Sequence, residues 1–298
     1  MGDLLDRRKY INFNTLSLVK RRFFSPLQER GVSLHCIPGN HDTYWKNTNS
    51  LNSLRELFHN DINLYETPTT VDFDGLQVLF LPWINKENQE SCELALDRST
   101  ARVLVGHLEL DGWEVIRGIN HDGGMDDNII HKFDLTMSGH FHCKQNKGSI
   151  WYLGTQYDLT FADVYERKGF HILDTDTLGL EFIENPYKMF HKIVYDDAET
   201  DYSGLDFFRY KDSFLRIVVT RKQNELAFTS LCESLVASGV ANLSITEDYQ
   251  NEDQKEAVDI SKGTIELIND AIDDMEIGVS RDRLKTVIRE LYVDSLSQ

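Results

Sequence analysis

Cysteine is scarce in this sequence of 298 residues: Cys36, Cys92, Cys143 and Cys232 are scattered, and no two of them form a Cys-x-x-Cys pair. This spacing argues against a disulfide framework and against a zinc knuckle. No run of 18 apolar residues is present to span a membrane, and the first ten residues lack the basic and apolar segments of a secretory signal. We therefore expect a cytoplasmic protein in a reducing compartment, with no membrane partner.

Positive charge is also in short supply, because 31 lysines and arginines face 49 aspartates and glutamates, for a net charge of -18. Such a charge repels polyanions at long range and argues against a general nucleic-acid coat protein. Residues 1–60 are the exception, with nine basic and five acidic side chains. We expect any DNA contact there, with Arg7, Arg8 and Lys9 as candidates; the alternative is that these residues form an ordinary solvated helix face.

Apolar runs that end in glycine or proline alternate with helical patterns over about the first 190 residues, which predicts an α/β sandwich. The predicted strands are Val32–Ile37, Val71–Phe73, Leu76–Leu81, Ala101–Val105, Leu135–Met137, Ile150–Leu153, Phe170–Leu173 and Leu180–Ile183. The predicted helices are Thr15–Arg30, Ser50–Phe58 and Lys86–Arg98, and Pro26 is expected to kink or restart the first. We assign residues 1–196 to this first domain.

Two further segments follow. Residues 204–247 read as a small α+β domain, with a strand at Phe214–Thr220, a helix at Glu225–Ser238 and a strand at Asn242–Thr246. Residues 254–298 contain apolar side chains at helical spacing, which predicts two amphipathic helices, the second capped by Ser280. An exposed apolar stripe favours a partner protein; the alternative is that both helices pack on their own domain.

Histidines carry the chemical signal. His41 lies in Gly39-Asn40-His41-Asp42, His107 follows Gly106, and His140 and His142 lie in a Gly-His-Phe-His segment. Each motif directly follows a predicted strand, and ligands in α/β proteins bind beyond the carboxyl ends of strands, so these loops are expected to meet. Asp3 would join them if a strand preceded Met1. Carboxylate, amide and imidazole ligands suit Mn, Fe or Zn, and two such ions would catalyse phosphoester hydrolysis.

These motifs resemble the calcineurin-like metallophosphoesterase family, whose ordered motifs are DxH, GDxxD, GNH(D/E), GH and GHxH; four of the five are present. The resemblance implies a β-sandwich flanked by helices, in four αββα layers, and two divalent metal ions, expected to be Mn²⁺. The metal ligands that it implies are Asp3, Asn40, His107, His140 and His142. Asp3 would bridge the two ions, and His142 would bind the second one.

The same resemblance implies roles for three further residues. His41, paired with Asp42, would stabilise or protonate the leaving oxygen at the scissile phosphate. Asp6 would support a ligand from behind without binding metal. The DxH motif is absent, together with the first strand and helix of the fold, so the second ion would have only two ligands from this chain. We expect a truncated chain; the alternatives are ligands from another segment, or a single, weak metal site.

Within this family, the chain is most similar to SbcD-type recombination nucleases, particularly their phage versions. The stretches that carry the similarity include Val32–Asp42, Thr69–Gly75, Leu81–Trp83, Gly106–Trp113, Ser138–His142, Tyr152–Thr155 and Asp174–Thr177. It implies a DNA exo- and endonuclease that processes double-strand breaks at DNA ends, in the host bacterial cytoplasm if phage-encoded. Residues 204–247 would cap the DNA, and residues 254–298 would dock on the coiled-coil base of an SbcC-type ATPase. A homodimer is a further implication.

Two alternatives stay open. One is a generic metallophosphodiesterase or phosphatase, because Gly2–Arg7 resembles the GDxxDRG motif of protein serine/threonine phosphatases. However, Arg8 stands where that motif has glycine, and Asp42 stands where those enzymes have glutamate. The other is a noncatalytic assembly subunit that binds DNA ends and the ATPase, because the missing DxH motif would cripple the metal centre.

Overall fold

The computed structural model describes residues 1–247, 272, 280, 281 and 284–289. It divides into two compact units. The first comprises Met1–Gly154, His171–Glu181 and Met275–Gln298, and the second comprises Thr155–Phe170 and Phe182–Asp274. Among the described residues, none of the helices is both long enough and apolar enough to cross a bilayer.

A six-stranded mixed sheet forms the centre of the first unit. Its strands, in chain order, are β3 (Thr69–Phe73), β4 (Leu76–Leu81), β5 (Val103–Gly106), β8 (Leu135–Ser138), β9 (Gln145–Lys147) and β10 (Ile150–Tyr152). Their order in the sheet is β3-β4-β5-β8-β10-β9, with β4, β5, β8 and β10 parallel and the two edge strands antiparallel. A hairpin turn at Asp74–Gly75 joins β3 to β4, with Asp74 and Gly75 at positive φ.

Successive side chains of the sheet enter two different cores, because they point to opposite faces of a strand. In β4, Leu79 and Leu81 join one core, which includes Leu96 of helix α4 (Gln89–Arg98). Val78 and Phe80 point into a second core. Three pairs of short strands are found beside the large sheet. They are the parallel pair β1 (His35–Cys36) and β2 (Asn63–Leu64), the pair β6 (Glu114–Ile116) and β7 (Ile119–Asn120), and the hairpin β11 (Gly169–Leu173) and β12 (Leu180–Glu184).

Four layers result from this packing. The second core joins the large sheet to Ile37, which follows β1, and to Leu173 and Leu180 of the β11–β12 hairpin. On the far side of β1, Cys36 packs with the helices of the amino-terminal segment. Those helices are α1 (Phe13–Val19), α2 (Ser25–Glu29) and α3 (Ser53–Phe58). The predicted α/β fold, with two strand layers between helices, is confirmed.

Pro26 affects the first helix as the sequence predicts. A π-helical turn, Lys20–Phe24, separates α1 from α2, and Pro26 lies at the start of α2. Proline has no N–H for the regular helical hydrogen bond, which disturbs the turn before it. The hydroxyl of Ser25 instead donates to the main-chain oxygen of Lys20 at 3.0 Å.

The second unit contains a three-stranded parallel sheet of β13 (Phe190–Asp196), β14 (Phe214–Arg221) and β15 (Asn242–Glu247), with helix α5 (Glu225–Ala237) between β14 and β15. The predicted strand–helix–strand order is therefore confirmed. Strand β13, which the sequence analysis placed in the first domain, pairs with β14 along its whole length. The predicted boundaries at residues 196, 204 and 247 stay predictions.

Most of the carboxyl-terminal segment, residues 254–298, lies outside the described residues, and so does most of the predicted apolar stripe. Ile272 is helical and buried, and residues 284–289 are helical. The N–H of Leu284 donates to the main-chain oxygen of Ser280 at 3.0 Å, which agrees with a helix start next to Ser280. Arg289 bonds Asp122 of the same unit at 2.7 Å.

The aromatic core beneath the amino-terminal helices is the basis of a stability prediction. Phe58 is completely buried against Phe24, with ring centres 4.8 Å apart, and both belong to the core cluster that includes Leu5. We expect Phe58→Ala to lower the free energy of unfolding of the first unit by about 3–5 kcal/mol, measured by urea denaturation. Phe208→Ala, at a side chain that is 77% exposed, is the control and should have little effect. Equal losses would show that this core does not support the unit.

Candidate metal centre

The side chains of the candidate centre come from loops at one edge of the large sheet. His107 directly follows β5, and His140 follows β8 by two residues. Strands β5 and β8 are parallel neighbours, with Gly106 paired to Ser138, so both chains leave the sheet at the same edge. Asn40 follows β1, and Asp3 lies in the amino-terminal loop. The structure therefore brings together four of the five predicted ligands.

Four donor atoms meet at the centre of this site. His107 Nε2 lies 2.9 Å from Asn40 Oδ1, 3.2 Å from Asp3 Oδ2 and 3.1 Å from His140 Nδ1. His140 Nδ1 also lies 3.2 Å from Asn40 Oδ1. The ligand atoms of Asp3, His107 and His140 all lie within 4.8 Å of one another. One small volume is thus surrounded by two oxygens and two ring nitrogens.

This donor set fits a divalent cation. His107 Nδ1 lies 2.8 Å from the main-chain oxygen of Met1, which can only accept, so we infer that Nδ1 carries the proton. When His107 is neutral, the form that binds metal, its Nε2 presents a lone pair to the oxygens of Asn40 and Asp3. Lone pairs that face one another at about 3 Å repel, and a shared cation removes this repulsion. A mixed imidazole, amide and carboxylate set suits first-row divalent ions.

The charges of the site respond to one another. Burial works against ionisation of Asp3, but His107 and His41 together outweigh burial and hold the pKa of Asp3 well below its ordinary value. In the same way, burial disfavours protonated His107, yet Asp3 raises the pKa of His107. Burial, followed by the charge of His107, lowers the pKa of His140. Asp3 therefore stays a carboxylate and His140 a neutral ring, the forms that bind metal.

Glycines allow the loops to approach this closely. A side chain on Gly39 would collide with Oδ1 and the N–H of Asp3, and one on Gly2, which has a φ of 81°, would collide with His107 Nδ1. Asp3 and His140 themselves adopt left-handed backbone conformations, with φ values of 55° and 57°. Such conformations are uncommon outside glycine and are found where the surroundings impose them, often at functional sites.

Asp42 holds two of the loops together. Its fully buried carboxylate accepts hydrogen bonds from the N–H groups of Asp3 at 2.6 Å, Leu4 at 3.1 Å and Gly39 at 2.8 Å. Burial, reinforced by the charge of Asp3, raises the pKa of Asp42 to about 6. Asp42 thus bonds three main-chain N–H groups and also the hydroxyl of Ser53, at 3.4 Å, whereas the sequence analysis expected it to pair with His41.

His41 finds a different partner. Its Nδ1 donates to the main-chain oxygen of Asp6 at 2.7 Å, and its N–H donates to Oδ1 of Asp3 at 2.7 Å. Asp6 thus supports the site through its main-chain oxygen. The residue that it supports is His41, whereas the sequence analysis expected Asp6 to support a metal ligand. The ring of His41 is fixed by the loop that carries Asp3.

A cleft of about 790 Å³ lies over the site. The predicted site residues that line it are Asp3, Asp6, Arg7, Arg8, Lys9, Asn40, His41, His140 and His142. His142 lies in this cleft but does not belong to the group formed by Asp3, His107 and His140. Arg7, Arg8 and Lys9 are consecutive in this lining: Arg7 bonds the hydroxyl of Tyr10, and Arg8 lies over the ring of Trp83, 5.8 Å from its centre.

Among the side chains of this cleft that sequence reasoning missed, Glu109 and Trp83 are linked to His140. Glu109 lies 3.7 Å from His140 through Oε1 and Nε2, and Trp83 donates from Nε1 to Glu109 Oε1 at 2.9 Å. Leu108 and Leu110 are buried, so alternation alone would turn the intervening Glu109 towards the cleft. The apolar neighbours on both sides of Glu109 are therefore the signal in the sequence that could have found it.

Comparison with known proteins assigns the family. Residues 1–144 match the calcineurin-like phosphoesterase family. Exonuclease subunit 1 of Enterobacteria phage T4 is 31% identical over 300 residues, which cover 99% of this chain and 86% of that protein. The chain belongs to the calcineurin-like phosphoesterases. This phosphoesterase is also similar to a subunit of the nuclease SbcCD from Staphylococcus epidermidis, with 23% identity over 59% of this chain and 54% of that protein.

Membership of this family implies divalent metal binding, and the close approach of Gly39 to Asp3 gives a test of where this phosphoesterase binds metal. We expect Gly39→Ala to weaken binding of Mn²⁺, used as a probe ion, by about 10- to 100-fold in calorimetry, because the new methyl group displaces Asp3. Gly204→Ala is the matched control, because no atom lies within 4 Å of the added carbon. Equal affinities of the two variants would place the ion elsewhere.

Proposed function

We propose that this phosphoesterase is the metal-dependent nuclease subunit of a DNA-processing complex and hydrolyses phosphodiester bonds as an exo- and endonuclease. The observation that carries the proposal is the convergence of Asp3, Asn40, His107 and His140 at a cleft that consecutive basic residues also line. The names of both relatives, an exonuclease subunit and a nuclease subunit, support DNA as the substrate. A phage relative favours action in the bacterial cytoplasm.

The proposed cofactors are two Mn²⁺ ions. Asp3, Asn40, His107 and His140 would hold one of them, and Asp3 and His142 would contribute to the other. When bound, such ions supply an activated water and positive charge against the phosphate oxygens. Asp42 would keep Asp3 and Gly39 in place for this purpose, because its carboxylate binds the main chain of both loops.

His41 is proposed to donate a proton to the leaving oxygen. The bond from Nδ1 to the main-chain oxygen of Asp6 fixes the ring with Nδ1 as the donor, so the proton to be given to the leaving oxygen is that of Nε2. In the reaction, a water oxygen bonds to phosphorus and the water gives up a proton to solvent, the bond from phosphorus to the leaving oxygen breaks, and the proton of His41 passes to that oxygen. The ring then regains a proton from solvent.

Two variants should separate metal binding from proton donation. We expect His140→Ala to lose Mn²⁺ and cleavage together, because a ligand is lost. His41→Ala should keep Mn²⁺ and cleave DNA about 10²- to 10⁴-fold more slowly, the range for loss of a general acid. Metal content and cleavage of linear duplex DNA are the measurements.

A second substrate sharpens this test. A nitrophenyl nucleoside phosphodiester has a leaving oxygen that needs little protonation, so His41→Ala should lose far less activity on it than on DNA. An equal loss on both substrates would refute proton donation by His41. Wild-type protein without bound metal, or with no cleavage of DNA, would instead favour the noncatalytic alternative.

Arg7, Arg8 and Lys9 are proposed to contact DNA phosphates. Nη1 of Arg8 is buried and has no hydrogen-bond partner among the described residues, although the side chain lines the cleft. Burial lowers the pKa of Arg8, while the carboxylates of Asp3 and Glu109 oppose this effect. A guanidinium with an unused donor is suited to bind a phosphate oxygen.

In metal-free solution, we expect Arg8→Ala to weaken DNA binding. We also expect it to reduce the magnitude of the slope of log affinity against log salt concentration by about 1. Arg21→Ala is the matched control, because Arg21 is exposed and lies in the π-helical turn, away from the residues that line the cleft. Fluorescence anisotropy of a labelled duplex at several salt concentrations measures both quantities. Equal slopes for the two variants would contradict the assignment of Arg8.

The proposed partner is an SbcC-type coiled-coil ATPase, contacted through residues 254–298, while residues 204–247 would cap the DNA end. Both relatives are named as subunits, which supports an assembly. A homodimer is part of the same proposal and rests on the resemblance alone.

A further inference from the structure

Glu109 lies beside the proposed metal centre in a fixed main-chain setting. Its main-chain oxygen accepts a hydrogen bond from Met125 at 2.7 Å, and its neighbours Leu108 and Leu110 are buried in the first core. The carboxylate is therefore attached to a rigid stretch of main chain, two residues after His107. Its side chain is 40% exposed and lines the cleft.

Trp83 holds the carboxylate in place. Its ring N–H donates to Glu109 Oε1 at 2.9 Å, and only 9% of Trp83 is exposed. The main chain of Trp83 is fixed as well, because its N–H donates to Pro38 and its carbonyl oxygen accepts from Asn49. A tryptophan that is bonded on both sides of its main chain leaves its indole little freedom to move.

His140 turns a different nitrogen to each side. Nδ1 faces Asn40 and His107 at 3.2 and 3.1 Å, on the side of the proposed ion. Nε2 faces Glu109 Oε1 at 3.7 Å, a distance that suits an electrostatic contact but exceeds a direct hydrogen bond. If Nδ1 binds metal, the ring proton must be on Nε2, and Nε2 faces the carboxylate of Glu109.

We propose that Glu109 is a positioning residue for His140: its carboxylate, held by Trp83, selects the form of the ring that carries its proton on Nε2 and leaves Nδ1 free for the metal. This inference rests on the metal site of the proposed function. Metal-binding histidines commonly present their second nitrogen to a carboxylate, and loss of that group costs about 10- to 100-fold in metal affinity. His140 has particular need of such support, because its backbone is in the left-handed region.

Calorimetry with Mn²⁺ tests whether Glu109 contributes to metal affinity. Glu109→Gln keeps an oxygen for Trp83 but removes the charge, and we expect it to weaken Mn²⁺ binding by about tenfold or more. Glu90→Gln, an exposed glutamate on α4, is the matched control and should bind as wild type does. Trp83→Phe should weaken binding less than Glu109→Gln, and combining the two changes should add little, because Trp83 acts through Glu109.

Nitrogen NMR of histidine-labelled, metal-free protein tests the ring form directly. In wild type, Nε2 of His140 should give the signal of a protonated nitrogen and Nδ1 that of an unprotonated one; Glu109→Gln should mix the two forms. Unchanged ring signals and unchanged Mn²⁺ affinity in Glu109→Gln would overturn the inference. If wild type itself binds no Mn²⁺, the proposed function fails instead, so the two failures are distinguishable.

Discussion

The carboxylate of Asp42 is the constraint on which the site depends. It is completely buried and joins the amino-terminal loop to the loop after β1 through the N–H groups of Asp3, Leu4 and Gly39. Three main-chain hydrogen bonds offset much of the cost of burying a charge. Without them, the strained backbone of Asp3 would have little to keep it beside His107. The hydrogen bonds of Asp42 thus fix the main chain, and the main chain in turn fixes the positions of the proposed ligand side chains.

The strain in these loops has an identifiable source of support. Asp3 and His140 both adopt left-handed conformations, which cost a non-glycine residue about 1–3 kcal/mol each. The cores on the two sides of the sheet and the helices packed around Leu5 supply the rigidity that maintains them. Glycine at positions 2 and 39 then allows main chain and ligand to approach where a side chain would collide. The rigid strands and the lack of a side chain at Gly2 and Gly39 therefore both help to hold the side chains of the site close together.

The sequence predicted the elements with a strong local signal and missed those that depend on distant partners. Buried runs such as Leu76–Leu81 and Val103–Gly106 are apolar along most of their length, so their strands could be predicted. The strand predicted at Val32–Ile37 is shorter, His35–Cys36, because it pairs only with a two-residue partner. The polar edge strand β9 was missed, since its pairing with β10 gives no apolar pattern of its own. At the site, residue types after strands indicated which side chains would meet, but Asp42 bonds three main-chain N–H groups, and no residue type reveals such partners.

Charge at the site is balanced locally, which reconciles an acidic protein with a polyanionic substrate. The carboxylate of Asp3 lies near that of Asp42 and near Arg8, and Arg8 also lies near Glu109. We expect the acidic groups around the proposed metal site to attract cations, and we expect Arg7, Arg8 and Lys9, which line the same cleft, to attract phosphate. A bound cation would add positive charge beside Asp3 and would attract the same phosphate that these basic residues are proposed to bind. The net charge of -18 acts at longer range, where salt screens it over about 10 Å. Selectivity for a phosphodiester thus resides in a few side chains within one cleft, and the acidic remainder of the surface does not oppose it at contact distance.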